Sequence, residues 1–192
     1  MRRVGIVLAL VGLIAGSAGC SSDAPASVAP TGPSTSVIPT HLSECPENPT
    51  PPLMVDQIAP AIAAVEAKLG GPQQYFEINA ADVVVNLFVV SNGEGTAPSN
   101  VTPYAFAKGQ LTAGGVLQGN GVSFTADKVV FEPKRVLSCV AAELPASKPE
   151  VFSVVADEAG ATHLSVTVVS PQGGRLAIDV DGKGRVLSVD PQ

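Results

Sequence analysis

Apolar positions fall along this chain in three rhythms. The first is a block: Val4–Ala15 is almost wholly apolar, with Gly5 and Gly12 inside it. The second is a helical stripe. Ile58, Ile62, Val65 and Leu69 are spaced four, three and four apart, which predicts a helix over 56–69. Asp56 can cap its first turn, and Gly70-Gly71-Pro72 stops it. The third is the short β-branched or alternating run. Asp82–Ser91 (DVVVNLFVVS) predicts a strand buried on much of both faces. Asn92-Gly93-Glu94-Gly95 opens a loop after it. Val101–Ala107, with Tyr104 and Phe106 alternating, and Gln110–Ala113 predict two more strands, and strand-like runs surround Phe124 and Val129-Val130-Phe131.

The second half reads in the same order. Ser147-Lys148-Pro149-Glu150 has the form of a capping box, which predicts a helix to about Glu158 with Val151, Val154 and Val155 on one face. Thr162–Ser170 predicts a strand, and Arg175–Val180 with Arg185–Val189 a hairpin around Asp181-Gly182-Lys183-Gly184. Phe88-Val89-Val90-Ser91 matches Thr167-Val168-Val169-Ser170, and Tyr104-Ala105-Phe106 matches Leu176-Ala177-Ile178. The helical positions Ile62 and Val65 match Val151 and Val154 in the same way. The expected fold is α+β: two helices packed on an antiparallel sheet, as a tandem αβββ duplication over about 53–131 and 145–192. The alternative is chance likeness between two amphipathic segments. At the level of architecture alone the pattern resembles PepSY-like and β-lactamase-inhibitor-like αβββ repeats. Some members of those groups bind or inhibit other proteins, which implies a binding role here without identifying a binding residue.

Between the apolar block and this domain the rhythm disappears. Residues 21–52 are rich in Pro, Ser, Thr and Ala, and nothing there could offset the entropy of ordering. They are expected to form a tether, part flexible coil and part polyproline II, with the domain beginning at 53. The 24 residues from Ser21 to Glu44 would give a reach of about 27 Å. His41 lies in this tether.

The N-terminal block changes meaning once its flanks are considered. Arg2 and Arg3 precede it and Ser17-Ala18-Gly19 follow, the order of a secretory signal over residues 1–19. Ser17-Ala18-Gly19-Cys20 resembles the lipobox of bacterial lipoproteins, departing from it at Ser17, where Leu, Val or Ile is usual. The resemblance implies export by the Sec or Tat route, cleavage before Cys20 and acylation of Cys20. It also implies a lipid-anchored domain on the outer face of the cell membrane. Two or more acyl chains anchor stably, so no membrane span is required downstream. The alternative is an ordinary signal peptide, leaving an unpaired thiol at Cys20. The composition, light in charge and heavy in Ala, Gly, Val and Pro, resembles that of actinobacterial lipoproteins.

With Cys20 assigned to lipid, Cys45 and Cys139 remain as an even pair, most simply a disulfide outside the cytoplasm. By chain entropy, closing such a loop would stabilise the fold by about 4.6 kcal/mol. Two free thiols or a metal site are the alternatives, and neither cysteine has a Cys or His at ligand spacing.

The remaining composition excludes more than it assigns. Net charge is −6, and about −8 without Arg2 and Arg3, which argues against a nucleic-acid partner or a polybasic membrane patch. With no Trp and 4% aromatic residues, no stacking platform for sugars or bases is evident. Asp179, Asp181 and Asp190 with Gly184 superficially match a calcium loop, but Lys183 would put a cation among the ligands, and a hairpin turn explains the same residues. His163 is the one histidine of the domain, with no Cys or acid cluster nearby in sequence. There is no Gly-x-Ser-x-Gly, phosphate loop, dinucleotide fingerprint or His-Glu-x-x-His. The expectation is a non-catalytic binding or interaction module of the cell envelope with no cofactor. The alternative is a carrier for a lipid or other apolar ligand.

Overall fold

The computed structural model describes residues 45–92 and 99–192. The signal segment, Cys20, His41 and most of the expected tether lie outside the described residues, as does the loop at Gly93-Glu94-Gly95.

The domain is mixed α+β, dominated by one antiparallel sheet. A single long helix, α1 (Ile58–Leu69), follows a 3-10 turn at Val55–Gln57. It buries Ile58, Ile62 and Val65 of the predicted stripe together with Ala61, whereas Leu69, its last residue, is exposed; Gly70 closes it in the left-handed conformation. Four strands follow: β1 (Gln74–Ala80), β2 (Val85–Asn92), β3 (Ser99–Ala107) and β4 (Gln110–Ala113). Two short strands come next, β5 (Leu117–Gly119) and β6 (Phe124–Thr125). An irregular strap then leads to α2 (Ser138–Glu143), a helix of under two turns. The chain ends with β7 (Lys148–Ala156), β8 (Thr162–Val169), β9 (Arg175–Val180) and β10 (Val186–Pro191).

The sheet runs β10-β9-β8-β7-β1-β2-β3-β4, so two four-stranded meanders meet at β1 and β7. The junction pairs Glu77–Ala80 with Phe152–Val155. β6 occupies the rest of that edge of β1, opposite Gln74 and Tyr75. β5 extends β4 along the outer side of β3.

The expected second helix is absent from its place. Residues 148–156 form β7, because Phe152 and Val154 alternate inward and Val151, Ser153 and Val155 alternate outward. Three valines and a phenylalanine favour a strand, and pairing with β1 on one side and β8 on the other decides it. Ser147 donates its backbone N–H to the Leu144 carbonyl instead of capping a helix. Pro149 is accommodated at an irregularity between Pro149 and Val151. The αβββ expectation also missed β1, so each meander has four strands rather than three. A register shift between Tyr75 and Glu77 hides β1 from a period-two reading, because its buried residues are Tyr75, Ile78 and Ala80.

One face of the sheet carries the core. Ile78, Leu87, Phe152, Val154, Val166, Val168 and Ile178 lie beneath α1, the strap and α2. The opposite face carries a transverse polar row. Asn86, Asn79, Ser153, Ser165, Asp179 and Ser188 pair strand by strand across it. The Oδ1 of Asn79 is buried there without a hydrogen-bond partner.

Residues 45–52, expected to belong to the tether, are packed on the domain. Cys45 is bonded to Cys139 of α2 with Cα atoms 5.1 Å apart, within the ordinary range for a disulfide. Both sulfurs belong to buried residues. The Asn48 N–H donates to the Lys134 carbonyl at 2.7 Å, and Arg135 pairs with Glu47 at 3.1 Å. Ordering these eight residues is offset by the cross-link, which a reading from proline content alone does not include.

Replacing Cys45 and Cys139 together with serine is expected to cost about 2–5 kcal/mol. The measurement is the urea midpoint of the double variant against the parent. A parent mass that gains no hydrogens on reduction would contradict the cross-link.

Candidate functional site

The strap, residues 126–136, carries the features that most resemble a binding site. It leaves β6 in a 3-10 turn at Ala126–Lys128 and crosses the core face between α1 and the β9–β10 hairpin. The expected strand at Val129-Val130-Phe131 does not form, because no neighbouring strand offers it a ladder. Besides the contacts of Lys134 and Arg135 with the N-terminal arm, the Glu132 N–H donates to the Gly182 carbonyl at 2.7 Å, and the Thr162 hydroxyl donates to the Lys128 carbonyl at 2.8 Å. The ring of Phe131 lies 5.1 Å from that of Phe152, centre to centre.

The hairpin beneath the strap requires glycine. Gly184 has φ +86°, and a Cβ there would fall 2.2 Å from the Arg135 carbonyl oxygen. The strap and the turn are therefore in backbone contact, with no room for a side chain between them.

Open clefts flank the strap. One, about 610 Å³, lies between the strap and the hairpin and is lined by Cys45, Glu132, Arg135, Asp181, Lys183 and Arg185 among others. Four of its charged side chains are engaged in ion pairs. Arg135 pairs with Glu132 at 3.2 Å as well as with Glu47, and Arg185 pairs with Asp181 at 2.6 Å. The second cleft, about 300 Å³, runs beside α1 and is mainly apolar. The third, about 320 Å³, lies over the ends of β8–β10 and includes Val130, His163 and Leu187.

The sequence candidates do not converge on a metal centre. Asp181 Oδ1 accepts the N–H groups of Lys183 (2.9 Å) and Arg185 (3.0 Å), and its Oδ2 faces the Arg185 guanidinium. This carboxylate is occupied by its own turn. Partial burial pushes its pKa up, but the Arg185 guanidinium and the two backbone N–H groups outweigh that and hold it below the ordinary value. Asp179 and Asp190 instead share the hydroxyl of Ser188, at 2.7 and 3.4 Å. Among the described residues no group of three His, Cys, Asp or Glu side chains is placed to hold a metal ion.

His163 does have an acidic neighbour, which its sequence surroundings concealed. Its Nε2 lies 3.2 Å from Asp157 Oδ2. Asp157 also accepts the N–H groups of Ala159 and Ala161, and so organises the β7–β8 turn. The Ala161 N–H first, and the histidine next, hold this carboxyl below its ordinary value. Among the described residues no serine or cysteine hydrogen-bonds to this pair, and its geometry is that of a turn.

The sequence reading did not reach the exposed apolar side chains of this region. Val130 is 73% exposed and Leu187 66% exposed, and both line the third cleft. Leu187 sits at a register shift in β10, the last strand of the sheet path, with Val189 also exposed further along. A bulge was the only signal that could have marked Leu187, and bulges leave little trace in sequence.

The Asp181 arrangement gives a pH signature. Its folded pKa lies below the unfolded value, so the carboxylate stabilises the fold above about pH 4, and this contribution is lost as pH falls through the folded value. Asp181→Asn is therefore expected to cost about 1 kcal/mol at neutral pH, with the gap to the parent closing in acid. Urea titrations of both proteins across pH 2–7 check it, and a gap constant with pH would contradict the charge argument.

The chain matches no family model, no curated protein and no solved structure.

Proposed function

We propose that this chain is an extracytoplasmic lipoprotein, anchored in the cell membrane through an acylated Cys20, that presents a non-catalytic binding domain to another envelope protein. The N-terminal charge, apolar block and Ser17-Ala18-Gly19-Cys20 support the anchor. No helix among the described residues is long and apolar enough to cross a membrane. The domain is read as an internal duplication: β2 and β8, and β3 and β9, hold equivalent places in the two meanders.

The observation that carries the binding reading is the joint exposure of Val130 and Leu187 on one cleft. Two aliphatic side chains left in water beside a sheet edge are the kind of surface a partner covers. Each would contribute on the order of 1.5–3 kcal/mol if fully buried by a partner. The alternative, a carrier of apolar ligands, draws its support from the groove beside α1. Elsewhere the inner face of the sheet carries a continuous cluster of buried apolar side chains.

The test uses intact cells of the natural host, with a photo-crosslinking side chain placed in turn at 130, 187 and 83. Val83 is 67% exposed and lies in the β1–β2 turn, so it serves as the control. Positions 130 and 187 are expected to give the same adduct and 83 a different one or none. Identical labelling from all three would overturn the docking surface. In the same cells, Cys20→Ala is expected to release the chain from the membrane fraction, and retention there would overturn the anchor.

A further inference from the structure

We infer that the groove beside α1 binds an apolar chain that carries a cationic head group. The groove lies on the opposite side of the strap from the hairpin cleft and encloses about 300 Å³. One wall is α1, with Ile58, Ala59, Ile62 and Ala63; the other is the strap, with Val129 and Phe131. Small side chains at 59 and 63 leave the space open above the helix, while Ile58 and Ile62 supply its floor. A concave, mainly apolar site with a few polar groups is the usual form of a small-ligand pocket.

The polar groups are what select the ligand. Among the described residues two ionisable side chains line the groove, Asp56 and Glu66, and no Lys, Arg or His does. Asp56 lies in the 3-10 turn that leads into α1 and Glu66 in its last turn, so they stand near opposite ends of the groove, roughly 15 Å from each other. Neither forms an ion pair among the described residues. Asp56 accepts a bond from the neighbouring Gln57 amide. Glu66 accepts long bonds, 3.4 Å each, from the Tyr75 hydroxyl and the Gln73 N–H. Burial first, and the adjacent Glu66 carboxylate second, push the Tyr75 phenol well above its ordinary value, so the phenol stays protonated and donates to Glu66.

Two uncompensated carboxylates at the ends of an apolar slot repel a fatty-acid head and attract an ammonium. A neutral chain gains the apolar contact alone. An alkylammonium gains that contact and a carboxylate at whichever end its head group lies. This site is separate from the Val130–Leu187 surface, so either assignment can fail without the other.

The experiment follows alanine methyl signals by NMR in the full chain, titrated with octyltrimethylammonium or with octanoate, each below its micelle concentration. The cation is expected to shift Ala59, Ala63 and Ala126 saturably, and octanoate to require at least ten-fold more ligand. Ala63→Leu keeps a strong helix former and fills the groove, and should weaken the cation at least ten-fold. Asp56→Asn with Glu66→Gln should retain apolar binding and reduce the preference for the cation to within two-fold. Non-saturating shifts, equal binding of both ligands, or a preference that survives loss of both carboxylates would each overturn the assignment. The carboxylate variant keeps a side-chain oxygen at position 66 to accept from Tyr75 and Gln73, so it keeps the test open if Ala63→Leu does not fold.

Discussion

The structure depends on a short run of strand pairing, Glu77–Ala80 against Phe152–Val155. This junction joins two four-stranded meanders into one sheet. Without it neither half has a complete inner face, because Ile78 and Ala80 on one side and Phe152 and Val154 on the other are buried together at the centre. The pairing is antiparallel and non-local, linking positions more than seventy residues apart in sequence. Such pairing carries a loop-closure cost before any contact forms. The Cys45–Cys139 cross-link shortens that search from the other direction, since it fixes the N-terminal arm to α2, just ahead of β7.

The strap is the consequence of this arrangement. Two meanders side by side leave a wide inner face, and α1 covers only part of it. The strap and α2 cover the rest, with Phe131 set against Phe152 at the junction. An irregular segment fits between a helix and a hairpin less closely than a second helix would. Clefts therefore open along both of its sides, and its crest residue Val130 stands in solvent. The clefts of this domain arise from that mismatch, whereas the polar row on the opposite face is built from paired polar side chains.

Much of the sheet was legible in the sequence, for identifiable reasons. α1 obeyed its stripe because it packs on one face only. β4 and β9 fell on the expected residues, and β2, β3, β8 and β10 within a few, because alternation and turn residues agree there. The matched segments lie on corresponding strands of the two meanders, but two residues apart in register: Tyr104 faces Leu87, whereas Leu176 faces Val168. The errors occurred where a local signal met a tertiary one. The Ser147–Glu150 pattern satisfies a capping box, yet Phe152 between the valines is the residue that alternation requires, and two neighbouring strands outweigh a cap worth about 1 kcal/mol. β1 was hidden by its bulge. The site was less legible still: Val130, Leu187, Asp56 and Glu66 are ordinary residues whose meaning comes from which neighbours the fold supplies or withholds.

The anchoring and binding proposals share one structural premise, that the domain at the end of the tether is a single cooperative unit whose strap is seated on the β1–β7 junction. Native-state hydrogen exchange tests that premise most directly. The amides of Ile78, Ala80, Phe152 and Val154 are expected to exchange last, together, and at the free energy of global unfolding. Exchange of the β7–β10 amides at a distinctly lower free energy than those of β1–β4 would contradict it, because the two meanders would then open independently.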